Sequence, residues 1–208
     1  MQVKKEEITN KILEAATFLF REVGYKQTSI AKIAQKAEIS TGNLYHYFKS
    51  KDELFEAVLP KEFASSFRAK LNKATRLTFG HSKITNDNPS LRNYWKAIED
   101  LLSISSLEKD RLLILLTRAD GTSFEPFREE AINLMTEQAL KYARSTDPTF
   151  ERTPDVAYLV REIYSSFITT ITNILRDSES PTETQRRLIL LRTYHLTGLK
   201  ALFGRGKS

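Results

Sequence analysis

Eight residues from Ser40 to Tyr47 (Ser-Thr-Gly-Asn-Leu-Tyr-His-Tyr) carry side chains suited to contact rather than catalysis. Leu44 and Phe48, at i and i+4, mark the inward edge of a short helix. The other positions hold small groups, an amide, aromatic hydroxyls and an imidazole, where an ordinary surface helix carries long charged chains. Such groups suit the base edges of a DNA groove. Thr41 adds a hydroxyl, and Gly42 lets the backbone approach the groove floor. Asn43 can pair with a base edge or a phosphate, and Tyr45 offers a ring face to thymine methyls and a hydroxyl. Ser40 and His46 complete this DNA-facing set. No arginine stands on the segment, so the commonest guanine contact is absent and apolar and shape readout is expected. Around it Thr28, Ser29, Tyr47 and Lys51 are expected at phosphates, with Lys32 as a further backbone contact. Ser29 also stands where a hydroxyl caps a helix, a compatible role. For Tyr47 the alternative is a partly buried aromatic.

Reactive chemistry has little to build on. The chain has no cysteine, so disulfides and thiolate metal sites are excluded. His46, His81 and His195 are scattered without HExxH spacing, and there is no P-loop, GxGxxG or nucleophile elbow. Glu99-Asp100 and Glu129-Glu130 read as solvated helix faces. No catalytic residue, metal or cofactor is expected. The N-terminus has no apolar h-region and no run approaches the ~20 apolar residues of a membrane span, so a cytoplasmic protein with no membrane partner is expected. The charge is uneven: residues 1–51 hold nine Lys/Arg against five Asp/Glu, residues 52–199 hold 20 against 21, and the last nine add three cations. A basic excess confined to one module is the footprint of a nucleic-acid binder.

Three short helices must position the contact residues. Ile8, Ile12, Ala15, Ala16, Leu19, Phe20 and Val23 give the first a single apolar face, and Gly24 ends it. Ile30, Ile33, Ala34 and Ala37 stripe the second. Glu38 to Ser40 has room only for a turn before the third. Two helices, a tight turn and a polar outer face form the helix-turn-helix pattern, whose second helix enters the major groove. Ser50-Lys51-Asp52-Glu53 opens a fourth helix with a capping box. Pro60 then kinks or breaks the chain before Phe63, Phe67 and Leu71 resume the pattern.

Beyond a polar loop from Thr78 to Ser90, every segment is helical in pattern. Tyr94 to Leu102 is followed by a leucine-rich, buried helix from Leu107 to Arg118. A long helix capped by Ser123 follows, and then two long terminal helices opened by Thr153-Pro154 and Ser180-Pro181-Thr182-Glu183. No alternating strand pattern and no repeat occurs, so the chain is expected to be all-α. Residues 1–50, with the start of a linking helix to about 60, form an N-terminal helix-turn-helix domain. Residues 61–204 form a helical effector-binding and dimerisation domain, and 205–208 a basic tail.

At Thr28-Ser29 before Ile33-Ala34, Gly42-Asn43-Leu44-Tyr45, Tyr47-Phe48 and Lys51 ahead of Leu54-Phe55, the chain closely resembles the TetR family of bacterial transcriptional regulators. The match reaches back through Ile12, Ala15-Ala16, Phe20 and Gly24-Tyr25, about the first quarter of the chain. The resemblance implies a homodimer that binds double-stranded operator DNA, as a repressor, and pairs through a four-helix bundle of its last two helices. It also implies a small-molecule effector bound in the C-terminal domain, which shifts the helix after the DNA-binding domain.

Val156, Val160, Ile163, Phe167, Ile171 and Ile174 make one apolar line on the penultimate helix, and Tyr164, Ile168 and Leu175 a second. One line can face the protomer core and the other a partner, or both can form one wide core stripe. The expected dimer contacts are Tyr164, Ile168, Ile171, Leu175, Leu191, His195, Gly198 and Leu202, with Thr197-Gly198 allowing close approach of helices. His195 can equally be a satisfied core residue. Phe67, Trp95, Phe127, Tyr164 and Phe167, with Arg118 for an anionic group, are the candidates for an apolar or aromatic effector, and each can instead be plain core. Two rival readings are a helix-turn-helix protein that binds DNA without any effector, and a helical enzyme or scaffold.

Overall fold

The computed structural model describes residues 2–80 and 89–203. Residues 81–88 and 204–208, which hold most of the expected Thr78–Ser90 loop, the end at Gly204 and the basic tail, lie outside the described residues. Ten helices and no strand occur among those described: α1 Gln2–Gln27, α2 Ile30–Lys36, α3 Thr41–Tyr45, α4 Lys51–Val58, α5 Lys61–Gly80, α6 Pro89–Leu107, α7 Lys109–Thr117, α8 Phe127–Thr146, α9 Pro154–Asp177 and α10 Pro181–Phe203.

The helix starts follow from local sequence. Ser29, Ser40 and Ser50 stand in extended backbone just before α2, α3 and α4, and each hydroxyl accepts the N–H three residues on. In a serine capping box the glutamate reaches back to a backbone N–H. Here Glu53 takes that of Lys49, and Glu183 that of Glu179 before α10. Thr153 caps α9 with Pro154 in its first turn. At Pro60 the helix breaks and restarts: α4 ends at Val58, whose freed carbonyl accepts Arg111 Nε at 2.8 Å. The long helix expected to start at Ser123 begins instead at Phe127. Thr122 takes the local bonds, its hydroxyl donating to Ala119 O and accepting from Phe124 N–H, and the chain turns through Pro126 first.

The chain divides into two compact units. The first comprises Met1–Ser66 and Glu108–Arg128, the second Phe67–Leu107 and Glu129–Ser208. In the first, Ile12, Ala16 and Phe20 of α1 meet Ile33 and Ala34 of α2, Leu44 of α3 and Leu54 and Phe55 of α4, all essentially inaccessible. Phe55 stands edge-on to Phe20 and Tyr25, each with ring centroids 5.0 Å apart. Val23, the last residue of the expected α1 stripe, is exposed.

This unit also contains α7, well beyond the boundary expected near residue 60. Its five consecutive apolar residues from Leu112 to Leu116 are all buried. Tyr25 N–H donates to Arg118 O, Arg118 Nε to Arg21 O, and Arg21 pairs with Asp110 at 3.0 Å. A solid apolar run shows that a helix is buried but not which neighbour buries it, and here the neighbour is α1.

In the second unit Ala74 of α5 packs with Tyr94, Ala97 and Ile98 of α6. Helix α8 buries Ala131, Ile132, Met135, Ala139, Leu140 and Ala143. Helix α9 buries Val160, Tyr164, Ile168, Thr172 and Leu175, and α10 buries Thr184, Leu188, His195, Leu199 and Phe203. No described helix is long and apolar enough to cross a membrane.

Candidate nucleic-acid interface

Helix α2 closes with a Schellman arrangement. Ile39 N–H donates to Ala34 O at 3.0 Å and Glu38 N–H to Gln35 O at 3.2 Å. Glu38 takes the left-handed position with φ 58°, where glycine is the usual occupant. This turn delivers Ser40 to the start of α3, where its hydroxyl accepts Asn43 N–H at 3.1 Å. Leu44 and Phe48 point inward, and this alone fixes which side of α3 faces out.

That outer side holds the expected contact set. Ser40, Thr41, Gly42, Tyr45 and His46 are exposed, Tyr45 by 50%, while Asn43 and Tyr47 are half-buried. A Cβ on Gly42 would meet nothing within 4 Å. The fold therefore makes no steric demand for glycine there.

The flanking residues are less uniform. Ser29 is exposed and caps α2 through Lys32 N–H at 3.3 Å. Lys32 is exposed, its ammonium donating to Gln27 O at 3.1 Å. Thr28 differs from expectation: it is buried, and its hydroxyl donates to Gly24 O at 2.8 Å, so it is turned away from any phosphate.

Lys51 also has an internal task. Its ammonium donates to Tyr25 O at 3.0 Å and Thr28 O at 3.1 Å and lies 4.0 Å from the centre of the Tyr25 ring. An ammonium has three donors, so one remains for an outside oxygen. Gly24, with φ 81° and ψ 167°, makes the bend that presents these carbonyls. The Tyr25 hydroxyl donates to the Asp52 carboxylate. Partial burial, with Asp52 beside it, pushes that phenol up to about 12 and keeps it a donor. Gly24, Tyr25, Thr28, Lys51 and Asp52 thus lock the end of α1 to the start of α4. Sequence pattern shows the residue types of this lock but not the bonds of Lys51 and Asp52, which reach positions more than 20 residues away.

The effector candidates do not form one group. Arg118 and Phe127 belong to the first unit, and Phe67, Trp95, Tyr164 and Phe167 to the second. Arg118 caps the C-terminus of α7 and is tied through both its guanidinium and its carbonyl to the end of α1, which accounts for it without a ligand. Phe67 and Phe127 are buried, and Trp95 is 56% exposed. Tyr164 and Phe167 flank His195, with ring centroids at 4.9 and 4.1 Å.

The expected dimer residues divide by burial. Tyr164, Ile168, Leu175 and His195 lie inside the protomer, because the Tyr164–Leu175 line is the one that faces its own core. Ile171, Leu191 and Leu202 are half-buried, and Gly198 is exposed. The apolar residues that α10 presents outward are instead Ile189, Leu190 and Tyr194, joined by Tyr158 and Leu159 among those of α9. Arg192 was not among the expected site residues. The signal available in sequence was a cation three positions before His195, on the same side of α10. No group of His, Asp and Glu among the described residues could hold a metal ion.

Comparison with known proteins agrees with this geometry. The model of bacterial regulatory proteins of the tetR family matches residues 12–58. The HTH-type transcriptional regulator HbdR of Aromatoleum sp. (strain CIB) is 49% identical over 49 residues, 24% of this chain and 21% of that protein. The HTH-type transcriptional repressor KstR2 of Mycolicibacterium smegmatis is 42% identical over 50 residues, 24% of each chain. The likeness to these curated relatives therefore spans about a quarter of their length or less. A TetR-family transcriptional regulator from Bordetella parapertussis shares the fold, with a TM-score of 0.51 over 89% of this chain and 94% of that one, at 22% identity.

Proposed function

We propose that this chain, placed in the TetR family by its N-terminal domain, is a transcriptional repressor that binds operator DNA as a homodimer and leaves it when a small molecule binds. The observation that carries the reading is the division of α3. Its inner edge is consumed by the core, and its outer edge is an exposed row of small polar and aromatic groups, among which Gly42 meets no steric demand from the fold. Ser29, Lys32 and the remaining donor of Lys51 supply the phosphate contacts, and Thr41 to Tyr45 read the groove.

A helix-turn-helix pair reads two half-sites one helical turn, ~34–36 Å, or a multiple apart. That requires a second copy. The exposed Ile189, Leu190 and Tyr194 of α10, beside Gly198, supply an apolar face for it. The half-buried Ile171, Leu191 and Leu202 border the interior and stay in reach of a partner.

Selection of duplex fragments with the purified protein, followed by anisotropy titration, tests the reading. A two-fold symmetric consensus is expected, with a Kd of roughly 10⁻⁸–10⁻¹¹ M and an affinity that falls linearly in log-log salt plots. Absence of duplex binding at low salt would return the chain to the scaffold or enzyme class. Binding that no small molecule in a thermal-shift screen relieves would leave a constitutive DNA binder.

A further inference from the structure

Two side-chain polar atoms among the described residues are buried with no hydrogen-bond partner, Arg192 Nε and His195 Nε2. They belong to residues three apart on α10, which share a helix face. Buried polar groups are nearly always paired, and each exception calls for a specific explanation. Two exceptions on one face, one on a cation and one on an imidazole, call for a shared one.

Their surroundings are aromatic. The Arg192 guanidinium carbon lies 5.0 Å from the Tyr94 ring centre and 5.2 Å from that of Trp95, both on α6. The His195 ring stacks on Phe167 at 4.1 Å and meets the edge of Tyr164 at 4.9 Å, both on α9. Arg152, Arg161 and Arg187 of the same unit each pair with a carboxylate, whereas Arg192 has only ring faces among the described residues. Removal from water disfavours its charge, and burial likewise holds His195 down at about 4, as the neutral ring. A half-buried cation without a counter-ion is a costly arrangement that an anion would relieve. Trp95, more than half exposed, leaves a side of this junction open to solvent.

We propose that the junction of α6, α9 and α10 is a binding site for a small organic carboxylate, whose oxygens accept from Arg192 and from His195 Nε2–H while its apolar body lies against Trp95 and Phe167. The inference rests on the reading of the chain as a ligand-released regulator, and supplies the chemical class of that ligand. A monoanion fits better than a phosphate dianion, because one guanidinium balances one charge and the aromatic walls solvate no excess. The neutral imidazole donates through Nε2 in the tautomer that carries its proton there.

Trp95 is the single tryptophan of the chain and sits beside Arg192, so its emission reports on the site without a label. The full-length protein is titrated with benzoate and octanoate, and with benzamide and octanamide as neutral counterparts. The carboxylates are expected to change Trp95 emission saturably and the amides to act much more weakly. Which carboxylate binds tighter tells an aromatic ligand body from an alkyl one. Arg192→Gln is expected to weaken carboxylate binding about 10- to 100-fold, the share of a charge-assisted hydrogen bond.

The site is overturned if carboxylate and amide bind alike, or if neither carboxylate saturates by about 10 mM. It is also overturned if a folded Arg192→Gln binds as well as the unaltered chain. Should that variant fail to fold, the carboxylate–amide comparison on the unaltered protein decides. Anisotropy of a selected duplex is followed separately. A carboxylate that binds but leaves DNA in place supports the site and counts against release by this ligand. DNA that never binds counts against the regulator reading and leaves the site standing.

Discussion

The outer edge of α3 and the α6–α9–α10 junction are both candidate contact surfaces, built on opposite principles. On α3 the N-terminus is capped by Ser40, Leu44 and Phe48 are buried, and what faces out is a row of small polar and aromatic groups. At the junction two buried nitrogens, Nε of the half-buried Arg192 and Nε2 of His195, have no hydrogen-bond partner. A surface that docks onto a large, hydrated polyanion can remain wetted until contact and stores no cost while it waits. A site for a small ligand withdraws some of its polar groups from water, so these can lack partners when it is empty. The proposed contact is therefore marked in one unit by exposure and in the other by buried nitrogens without a partner.

The largest expected effect tests the junction. His195 is held neutral by burial, its folded value near 4 below the ordinary 6.5. Above about pH 6.5 neither folded nor unfolded chain carries this proton, and stability is full. Between 6.5 and 4 only the unfolded chain gains it, so stability falls as pH falls, by on the order of 3 kcal/mol in total. Below 4 both states are protonated and this group takes away nothing more. The Tyr164 ring of α9 lies against it, its phenol driven upward by burial, and Arg192 stands one turn earlier on α10, its charge disfavoured by burial. Urea unfolding of the chain and of His195→Gln should diverge there, and parallel profiles would mean that the imidazole is wetted.

Next is Lys51, which the wet site shares with the fold. Lys51→Ala should lower stability by about 2 kcal/mol, since two carbonyls lose a charged donor, and should weaken binding to all duplexes alike. If only the salt slope flattens while denaturation is unchanged, Lys51 is a phosphate ligand and not a clamp. Tyr45→Ala should leave stability within about 0.5 kcal/mol yet remove about 1–3 kcal/mol of discrimination between selected and random duplex. An equal loss on both would move Tyr45 from base reading to backbone contact. The smallest effect belongs to the turn between α2 and α3. Glu38→Gly should gain less than about 1 kcal/mol, because relief of the left-handed backbone is partly offset by a more flexible unfolded chain. DNA affinity should not change, and a changed affinity would place the Glu38 side chain at the interface.

Legibility followed the range of the interaction. Ser29, Ser40 and Ser50 were recognisable as caps because a cap and its N–H lie three residues apart. Leu44 and Phe48 were recognisable as inward because they lie one helical turn apart. Lys51 was not recognisable as a clamp because its bonds run to the carbonyls of Tyr25 and Thr28, 26 and 23 positions away. The burial of Thr28, though its own bond to Gly24 O is local, depends on the bend at Gly24. Arg118 is legible as a polar group ending a leucine-rich helix, but not its bond to Arg21 O, 97 positions away.

By itself, then, the sequence determined the all-helical character, the helix-turn-helix with its outward contact row, and the concentration of positive charge beside it. Periodicity, capping and composition act over a few residues and need no partner to be read. Only the tertiary structure decided that α7 packs with the N-terminal helices, and that the Tyr164–Leu175 line of α9 faces its own protomer. It also decided that Arg192 and His195 meet aromatic rings from two other helices. A stripe shows that a face will be buried and is silent on what buries it, since that depends on which of ten helices the chain brings alongside.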